Sequence, residues 1–207
     1  MVKCVKSLYV WIFTSVLIFS FNSLVVSSQR SHFSVFLSPV LPLSNLNDNA
    51  NWGLISGKIN YNLDLTGNLS WCLSAGYNKF GPKTVTVDLV TRAQYVSHLA
   101  YIPLTSGFQF FLNKDKLRFY LVAKGGYYLP AGDFIKSSWG ISPGSGFQIP
   151  LPVNHMKIDI SLIYNRVFGS TTKEFTANSI YGGSVNVQTS YRHVSYIAIN
   201  AGVSFGK

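Results

Sequence analysis

Residues 196–205, Tyr-Ile-Ala-Ile-Asn-Ala-Gly-Val-Ser-Phe, alternate between apolar side chains and mostly small or polar ones. One parity carries Ile197, Ile199, Ala201, Val203 and Phe205, and the other carries Tyr196, Ala198, Asn200, Gly202 and Ser204. Because successive side chains of a β-strand point to opposite faces, this alternation predicts a strand with one apolar face. The same period recurs after Ser31, and no helical 3.6-residue spacing of any length accompanies it.

Eight such strands are predicted, at 32–40, 51–63, 68–80, 93–112, 116–129, 139–151, 155–168 and 192–206. Their connections alternate between tight turns, at 64–67, 113–115 and 152–154, and longer loops, at 41–50, 81–92, 130–138 and 169–191. Outer-membrane barrels have an even number of strands, short periplasmic turns and long extracellular loops. The sequence therefore predicts an all-β fold, an eight-stranded antiparallel up-and-down transmembrane β-barrel. Pro103 falls within the fourth strand and predicts a bulge or a bend there.

The composition excludes several other classes of protein. Only 12% of the 207 residues are charged, about half the usual share, while 47% are hydrophobic and 15% aromatic. So many apolar residues exclude a disordered chain. No apolar run after Phe21 approaches the ~20 residues of a spanning helix, which excludes a multi-span helical membrane protein.

The first 28 residues are typical of a secretory signal peptide. Lys3 and Lys6 precede the uncharged apolar stretch 8–21, and the small residues 26–28 follow it. We therefore predict a signal peptide at 1–28 and a barrel domain at 29–207; an uncleaved helical anchor is the alternative. After cleavage Cys72 is the single cysteine, so no internal disulfide is expected.

Alternation alone does not say which face of the barrel points inward, since a soluble lipocalin-like barrel has its apolar face inside. The polar face here is dominated by Gly, Ser, Asn and Tyr rather than by the Lys and Glu of a solvated sheet, which favours the membrane orientation. Lipid-facing positions are then Phe33, Ile59, Trp71, Phe108, Phe119, Phe147, Ile160, Ile199 and Phe205. Tyr61, Tyr77, Tyr127 and Tyr164 are predicted to form aromatic girdles, unless strand propensity alone explains them.

The predicted inward face holds five charges, Lys58, Arg118, Lys124, Lys157 and Asp159. Charges in so narrow a lumen must pair or be hydrated, because an isolated buried charge is costly. An eight-stranded interior is just wide enough for side chains to fill, so a hydrated polar plug is expected. The alternative is a narrow anion-preferring passage, since four of the five charges are positive.

Three motifs resemble the PorT-like outer-membrane β-barrel family. Residues 101–104, Tyr-Ile-Pro-Leu, resemble the Glu-Ile-Pro-Leu of its fourth strand, with Tyr101 in place of the glutamate. Residues 118–128 resemble its next strand, with Phe119 where proline is usual, and Gly144-Ser145-Gly146-Phe147 is similar to its Gly-x-Gly sixth strand. The resemblance covers about 31–207 and implies an outer-membrane location and insertion, but no enzymatic activity.

No catalytic, cofactor-binding or metal-binding site is predicted. The four histidines are scattered over different strands without metal-ligand spacing. A membrane-embedded lipid- or peptide-hydrolysing enzyme remains an alternative, with Ser97, His98 or His193, and Asp88 or Glu174 as its nominal triad. Because almost any barrel offers such a trio, the chain is expected not to be an enzyme.

The expected function is that of a non-enzymatic protein of a Gram-negative outer membrane, with an envelope-structural or surface-interaction role. A narrow channel or an accessory of a protein-secretion or transport system is the alternative. Expected partners are outer-membrane lipid, lipopolysaccharide, the barrel-assembly machinery and an unidentified protein bound by the extracellular loops. Nucleic acid is not expected despite the net charge of +10, because the basic residues do not cluster. The rim cations proposed to meet lipopolysaccharide phosphate are Lys79, Lys83, Arg92, Lys136, Lys173 and Arg192.

Overall fold

The computed structural model describes residues 30–43, 46, 50–54, 56–88, 93–113, 117–132, 137–152, 155–178 and 184–206. The predicted signal peptide lies outside these residues. The elements are eleven strands: β1 (Ser31–Leu37), β2 (Val40–Leu43), β3 (Ser56–Asp64), β4 (Leu69–Lys79), β5 (Lys83–Asp88), β6 (Ala93–Ser97), β7 (Leu99–Phe111), β8 (Arg118–Gly132), β9 (Ser138–Pro150), β10 (Met156–Asn178) and β11 (Ser184–Gly206). No helix among the described residues is long and apolar enough to cross a membrane.

Eight of these strands close into a barrel. Their order is β1-β3-β4-β7-β8-β9-β10-β11, every pairing is antiparallel, and β11 returns to pair with β1. The short β2 continues β1 past Pro39 and pairs with residues 195–198 of β11. The predicted eight-stranded up-and-down barrel is therefore confirmed. Its closure pairs the backbone of every strand in the wall with two neighbours.

The two ends of the barrel differ in their connections. Short turns join β3 to β4, β7 to β8 and β9 to β10, and we call this the short-turn end. In the first of these turns the amides of Leu65 and Thr66 both donate to the Leu69 carbonyl. His155 has a φ of 66° in the third turn. The opposite end, the long-loop end, carries the longer connections.

Two segments predicted as loops form β-hairpins instead. Within 81–92, β5 pairs with β6, which is the start of the predicted strand 93–112 and is separate from the wall strand β7. Within 169–191, β10 continues to Asn178 while β11 starts at Ser184. Asn178 also pairs with Gln94, so the extra strands form a sheet in the order β11-β10-β6-β5. The prediction of a loop at 81–92 was wrong. Lys-Thr-Val-Thr-Val-Asp at 83–88 alternates like a strand, but it lies outside the eight strands expected for the wall and was therefore assigned to a loop.

Of the bulge or bend predicted at Pro103, the bulge is wrong. The residue lies within β7, where pairing with β8 continues in one register from Leu99 to Phe111. On the other side, the β4 pairings at Leu104 and at Tyr101 also share one register, and the ladder is interrupted only between them. Since proline has no N–H to donate, it removes a ladder bond here without shifting the strand.

Candidate functional site

The barrel has an apolar exterior. Of the nine residues predicted to face lipid, Phe33, Ile59, Phe108, Phe119, Ile199 and Phe205 lie on the outer face with 42–54% of their surface exposed, and Trp71, Phe147 and Ile160 are half-buried there. Further exposed apolar side chains, such as Leu121 and Leu162, complete the band. Monomeric soluble proteins rarely expose so large a contiguous apolar surface, so this face needs an apolar environment.

Aromatic residues stand among the aliphatic ones on the same exterior. Tyr61, Tyr77 and Tyr127 are exposed, and Tyr164 is half-buried with its hydroxyl donating to Ser195 Oγ at 3.1 Å. Tyr127 packs edge-on against Trp139 with ring centroids 4.7 Å apart. Tyr and Trp suit positions where one end of the ring meets apolar chains and the other meets water.

The five charges predicted for the lumen have their backbone positions on the inward parity. Lys124 and Asp159 are buried, at 6% and 3% exposure, whereas Lys58, Arg118 and Lys157 are half-buried. The lumen therefore carries more positive than negative charge. Its filling falls into three layers, taken below from the short-turn end upward.

At the short-turn end, charged and polar groups mix with aromatic rings. The guanidinium of Arg118 lies 3.8 Å from the ring centroid of Phe111, a cation–π contact. His32 Nδ1 lies 3.9 Å from Asp64 Oδ1, which also accepts a hydrogen bond from the Ser70 hydroxyl at 2.5 Å. This layer lies where β1 meets the turn between β3 and β4.

In the middle layer, neutral donors hold the carboxylate of Asp159. The hydroxyl of Tyr120 donates to Oδ1 at 2.7 Å, and Gln148 Nε2 donates to Oδ2 at 2.8 Å. A buried charge needs such partners, since hydrogen bonds replace the hydration it has lost. Both carboxylate oxygens are thus engaged by fixed side chains of β8 and β9.

The two lysines of the middle layer line a small cavity of about 20 Å³. Lys124 Nζ donates to Ser74 Oγ at 2.7 Å, and the side chains of Lys58 and Lys124 approach each other. A cavity of that size holds about one water molecule. At this level the described side chains around the cavity therefore leave free space for about one water molecule.

Near the long-loop end, the lumen is closed by four aromatic rings, which we call the aromatic plug: Phe80, Tyr101, Tyr128 and Tyr196. Each is at most 1% exposed, and Phe80 and Tyr196 meet edge-on with centroids 5.2 Å apart. Asn78 Nδ2 donates to the Tyr196 hydroxyl at 2.7 Å, and the Tyr128 hydroxyl donates to Asn165 Oδ1 at 3.0 Å. This layer differs from the polar filling expected from the sequence.

The sequence did indicate that residues of the aromatic plug point inward, through their positions in the alternation of each strand. Tyr128 and Tyr196 stand on the same parity as the polar residues Lys124 and Asn200. Sequence reasoning assigned tyrosines to the exterior girdles and gave these inward ones no role. Aromatic residues with a polar tip suit a lumen, because the ring fills space while the hydroxyl joins the polar network.

Inward glycines make room for these large side chains. A Cβ on Gly140 would lie 2.6 Å from Tyr128 Cε2, and a Cβ on Gly146 would lie 2.6 Å from the Tyr120 ring. On the outer face, a Cβ on Gly125 would meet nothing closer than 3.7 Å. Glycine on the neighbouring strand is therefore part of the packing of each ring.

The histidines and acidic residues considered for catalysis or metal binding do not form a cluster among the described residues. No group of three His, Cys, Asp or Glu side chains there could hold a metal ion. His98 and His193 are exposed at the long-loop end. The side chains of Ser97, Asp88 and Glu174 lie outside the described set.

Comparison with solved structures identifies the architecture. No family model matches the sequence, and no curated protein matches it significantly. The crystal structure of Neisserial surface protein A aligns with a TM-score of 0.58 at 13% identity, covering 86% of this chain and 97% of that one. The chain has the fold of outer-membrane β-barrels. A major outer membrane protein from Thermus thermophilus aligns with a TM-score of 0.56 at 10% identity, covering 87% of this chain and 100% of that one.

Proposed function

We propose that the chain is a non-enzymatic barrel of a Gram-negative outer membrane, delivered by a signal peptide, with a closed lumen and a surface-exposed long-loop end. Its role is envelope-structural or one of surface interaction. The apolar exterior supports the location, because exposed rings and aliphatic side chains around the wall need acyl chains as their solvent. The likeness to outer-membrane barrels of known structure supports it as well.

The aromatic plug carries this proposal. Four rings that are at most 1% exposed close the long-loop end, and the cavity beneath them has a volume of only about 20 Å³. Diffusion of a solute needs a continuous aqueous route, which this packing blocks. A closed barrel contributes to the envelope through its wall and its exposed loops rather than by transport.

Single-channel recording from the refolded protein in planar bilayers tests the closed lumen. We expect no conductance above that of the bare bilayer. Discrete conductance steps would refute closure if Lys124→Met, inside the lumen, alters them and Lys79→Met, on the exposed rim, does not. That result would favour the narrow-channel alternative.

The projecting hairpins support a surface-interaction role. Strands β10 and β11 have 23 residues each, against 9–15 in β3, β4, β7, β8 and β9 of the wall. At about 3.3 Å per residue, the ten residues that follow Phe168, up to Asn178, extend roughly 33 Å along the hairpin. Such a sheet offers an unidentified protein partner a far larger surface than a tight turn does.

Lipopolysaccharide is a second proposed partner, met by cations at the long-loop rim. Lys79 is exposed there and Lys83 is half-buried. The remaining rim cations, Arg92, Lys136, Lys173 and Arg192, have side chains outside the described set. We expect folded protein to resist urea better in vesicles containing lipopolysaccharide than in phospholipid vesicles, with part of the gain lost in Lys79→Gln and at high salt. Equal resistance in both vesicles would refute this partner.

A finer family assignment, to the PorT-like barrels, rests on the motifs at 101–104, 118–128 and 144–147. This assignment would favour the alternative of an accessory role in protein secretion. It would also imply that the barrel-assembly machinery inserts the protein into the membrane. A deletion strain tests the choice: loss of one secreted protein from the medium favours the accessory role, whereas a weakened envelope with secretion intact favours the structural one.

A further inference from the structure

The side chains that line the cavity in the middle of the lumen carry unbalanced charge. Its lining includes the side chains of Lys58 and Lys124 together with Ser74, Asn78, Asn165 and Asn200, and no carboxylate of the described residues is part of it. Lysine offers three N–H donors and no acceptor. The cavity therefore has two cationic groups facing one another and no anionic side chain of the described residues between them.

The carboxylate nearest in the same layer offsets only part of this charge, because Asp159 attracts both lysines but is one anion against two cations. Asp159 is absent from the cavity wall, and its two oxygens are taken by Tyr120 and Gln148. Two like charges brought together away from water repel more strongly than in water, because the surroundings screen them less. A neutral occupant such as water leaves that repulsion in place.

The hydrogen bonds around the cavity are arranged for an acceptor. Ser74 Oγ accepts from Lys124, so its own O–H is left to donate elsewhere. Asn78 and Asn165 each use one N–H of the amide, toward Tyr196 and the Ile163 carbonyl, and each has a second N–H. Ser74, Asn78 and Asn165 thus each keep an O–H or N–H that can donate a hydrogen bond to an anion.

We propose that this cavity binds a single small anion of halide size between Lys58 and Lys124. The volume of about 20 Å³ suits an occupant not much larger than water and excludes sulfate or phosphate. The anion supplies the missing negative charge and accepts hydrogen bonds from both ammonium groups. It is a structural ligand of the closed barrel, independent of whatever binds the loops.

Bromide is the probe, because its anomalous scattering distinguishes it from water. The protein is refolded and crystallised in sodium bromide, since the buried cavity fills most readily while the barrel forms. We expect an anomalous peak in the cavity within hydrogen-bonding distance of both lysine nitrogens. Bromide peaks at the surface only, with a water-sized feature or nothing in the cavity, would overturn the proposal.

Unfolding in urea gives a second readout. For the wild type, the urea midpoint should rise with bromide and saturate, relative to sodium sulfate of equal ionic strength. Lys124→Met should abolish this rise, while the control Lys79→Met, which removes an exposed rim charge, should retain it. If Lys124→Met does not fold, Lys58→Met replaces it. A rise of equal size in the cavity variant and the wild type would overturn the proposal.

Discussion

The hydrogen bond between Tyr120 and Asp159 can be removed with little change in packing. The Tyr120 O–H donates to Asp159 Oδ1 at 2.7 Å, and the Tyr120 ring packs edge-on against Phe111 with centroids 5.8 Å apart. Tyr120→Phe deletes the oxygen and keeps the ring. The variant therefore removes this donor to a buried charge, together with the hydrogen bond between the Tyr120 hydroxyl and Ser161.

The expected loss of stability follows from the burial of both partners. Hydrogen bonds to charged groups contribute about 1.5–3 kcal/mol, roughly twice the value for neutral pairs. Tyr120 is 5% exposed and Asp159 is 3% exposed, so water cannot easily replace the lost donor. Gln148 still holds the second oxygen. We expect Tyr120→Phe to lower the free energy of unfolding by about 1.5–3 kcal/mol.

Equilibrium unfolding in urea, with the barrel in lipid vesicles and tryptophan fluorescence as the signal, measures this loss. Tyr127→Phe is the matched control, because Tyr127 lies on the exterior and is 38% exposed. A double-mutant cycle with Asp159→Asn assigns the energy to the pair, since it subtracts the separate effect of each substitution.

Two results would contradict the reasoning. One is a loss in Tyr120→Phe no larger than in Tyr127→Phe, within about 0.5 kcal/mol. The other is a cycle in which the two substitutions are additive. Either would mean that the carboxylate of Asp159 does not depend on Tyr120.

Three further outcomes are expected. Gly140→Ala should destabilise the barrel by about 1–3 kcal/mol, because its Cβ would lie 2.6 Å from a buried ring, while Gly125→Ala stays near the wild type in the same urea titration. The buried thiol of Cys72 should resist a maleimide reagent in the folded barrel and react in urea, and equal labelling of Cys72 and a Ser145→Cys exterior thiol would contradict its burial. Deleting 171–190 should leave the heat-modifiable gel mobility of a folded barrel, since these residues lie beyond the wall; loss of that mobility would assign the hairpin a role in folding.

The wall of the barrel could be predicted from the sequence because its determinant is local. Alternation along 196–205 assigns each side chain to a face without reference to any distant residue. The alternating long and short connections then supplied the antiparallel order. Closure of β11 on β1 required only that no edge be left in hydrocarbon.

The contents of the lumen could be predicted less well, because they depend on pairs across strands. Parity brings Lys124 inward but does not say that Ser74, fifty residues earlier, accepts from its ammonium group. Similarly, Tyr128 and Gly140 become neighbours only through the register of β8 and β9. The projecting hairpins were missed for another reason. Alternation in a sequence does not show whether a strand lies in the wall or beyond the bilayer, and the eight wall strands already completed the expected barrel.

The pairing of β1 with β11 has a consequence for biosynthesis. Ser34 and Ser204 share a buried hydrogen bond across 170 positions of sequence, and six residues of β1 pair with β11. Strand β1 therefore lacks its second neighbour until residues 201–206 of β11 have been synthesised. Until then one edge of β1 exposes unpaired amides beside an apolar face, a combination that favours aggregation of an unfinished chain.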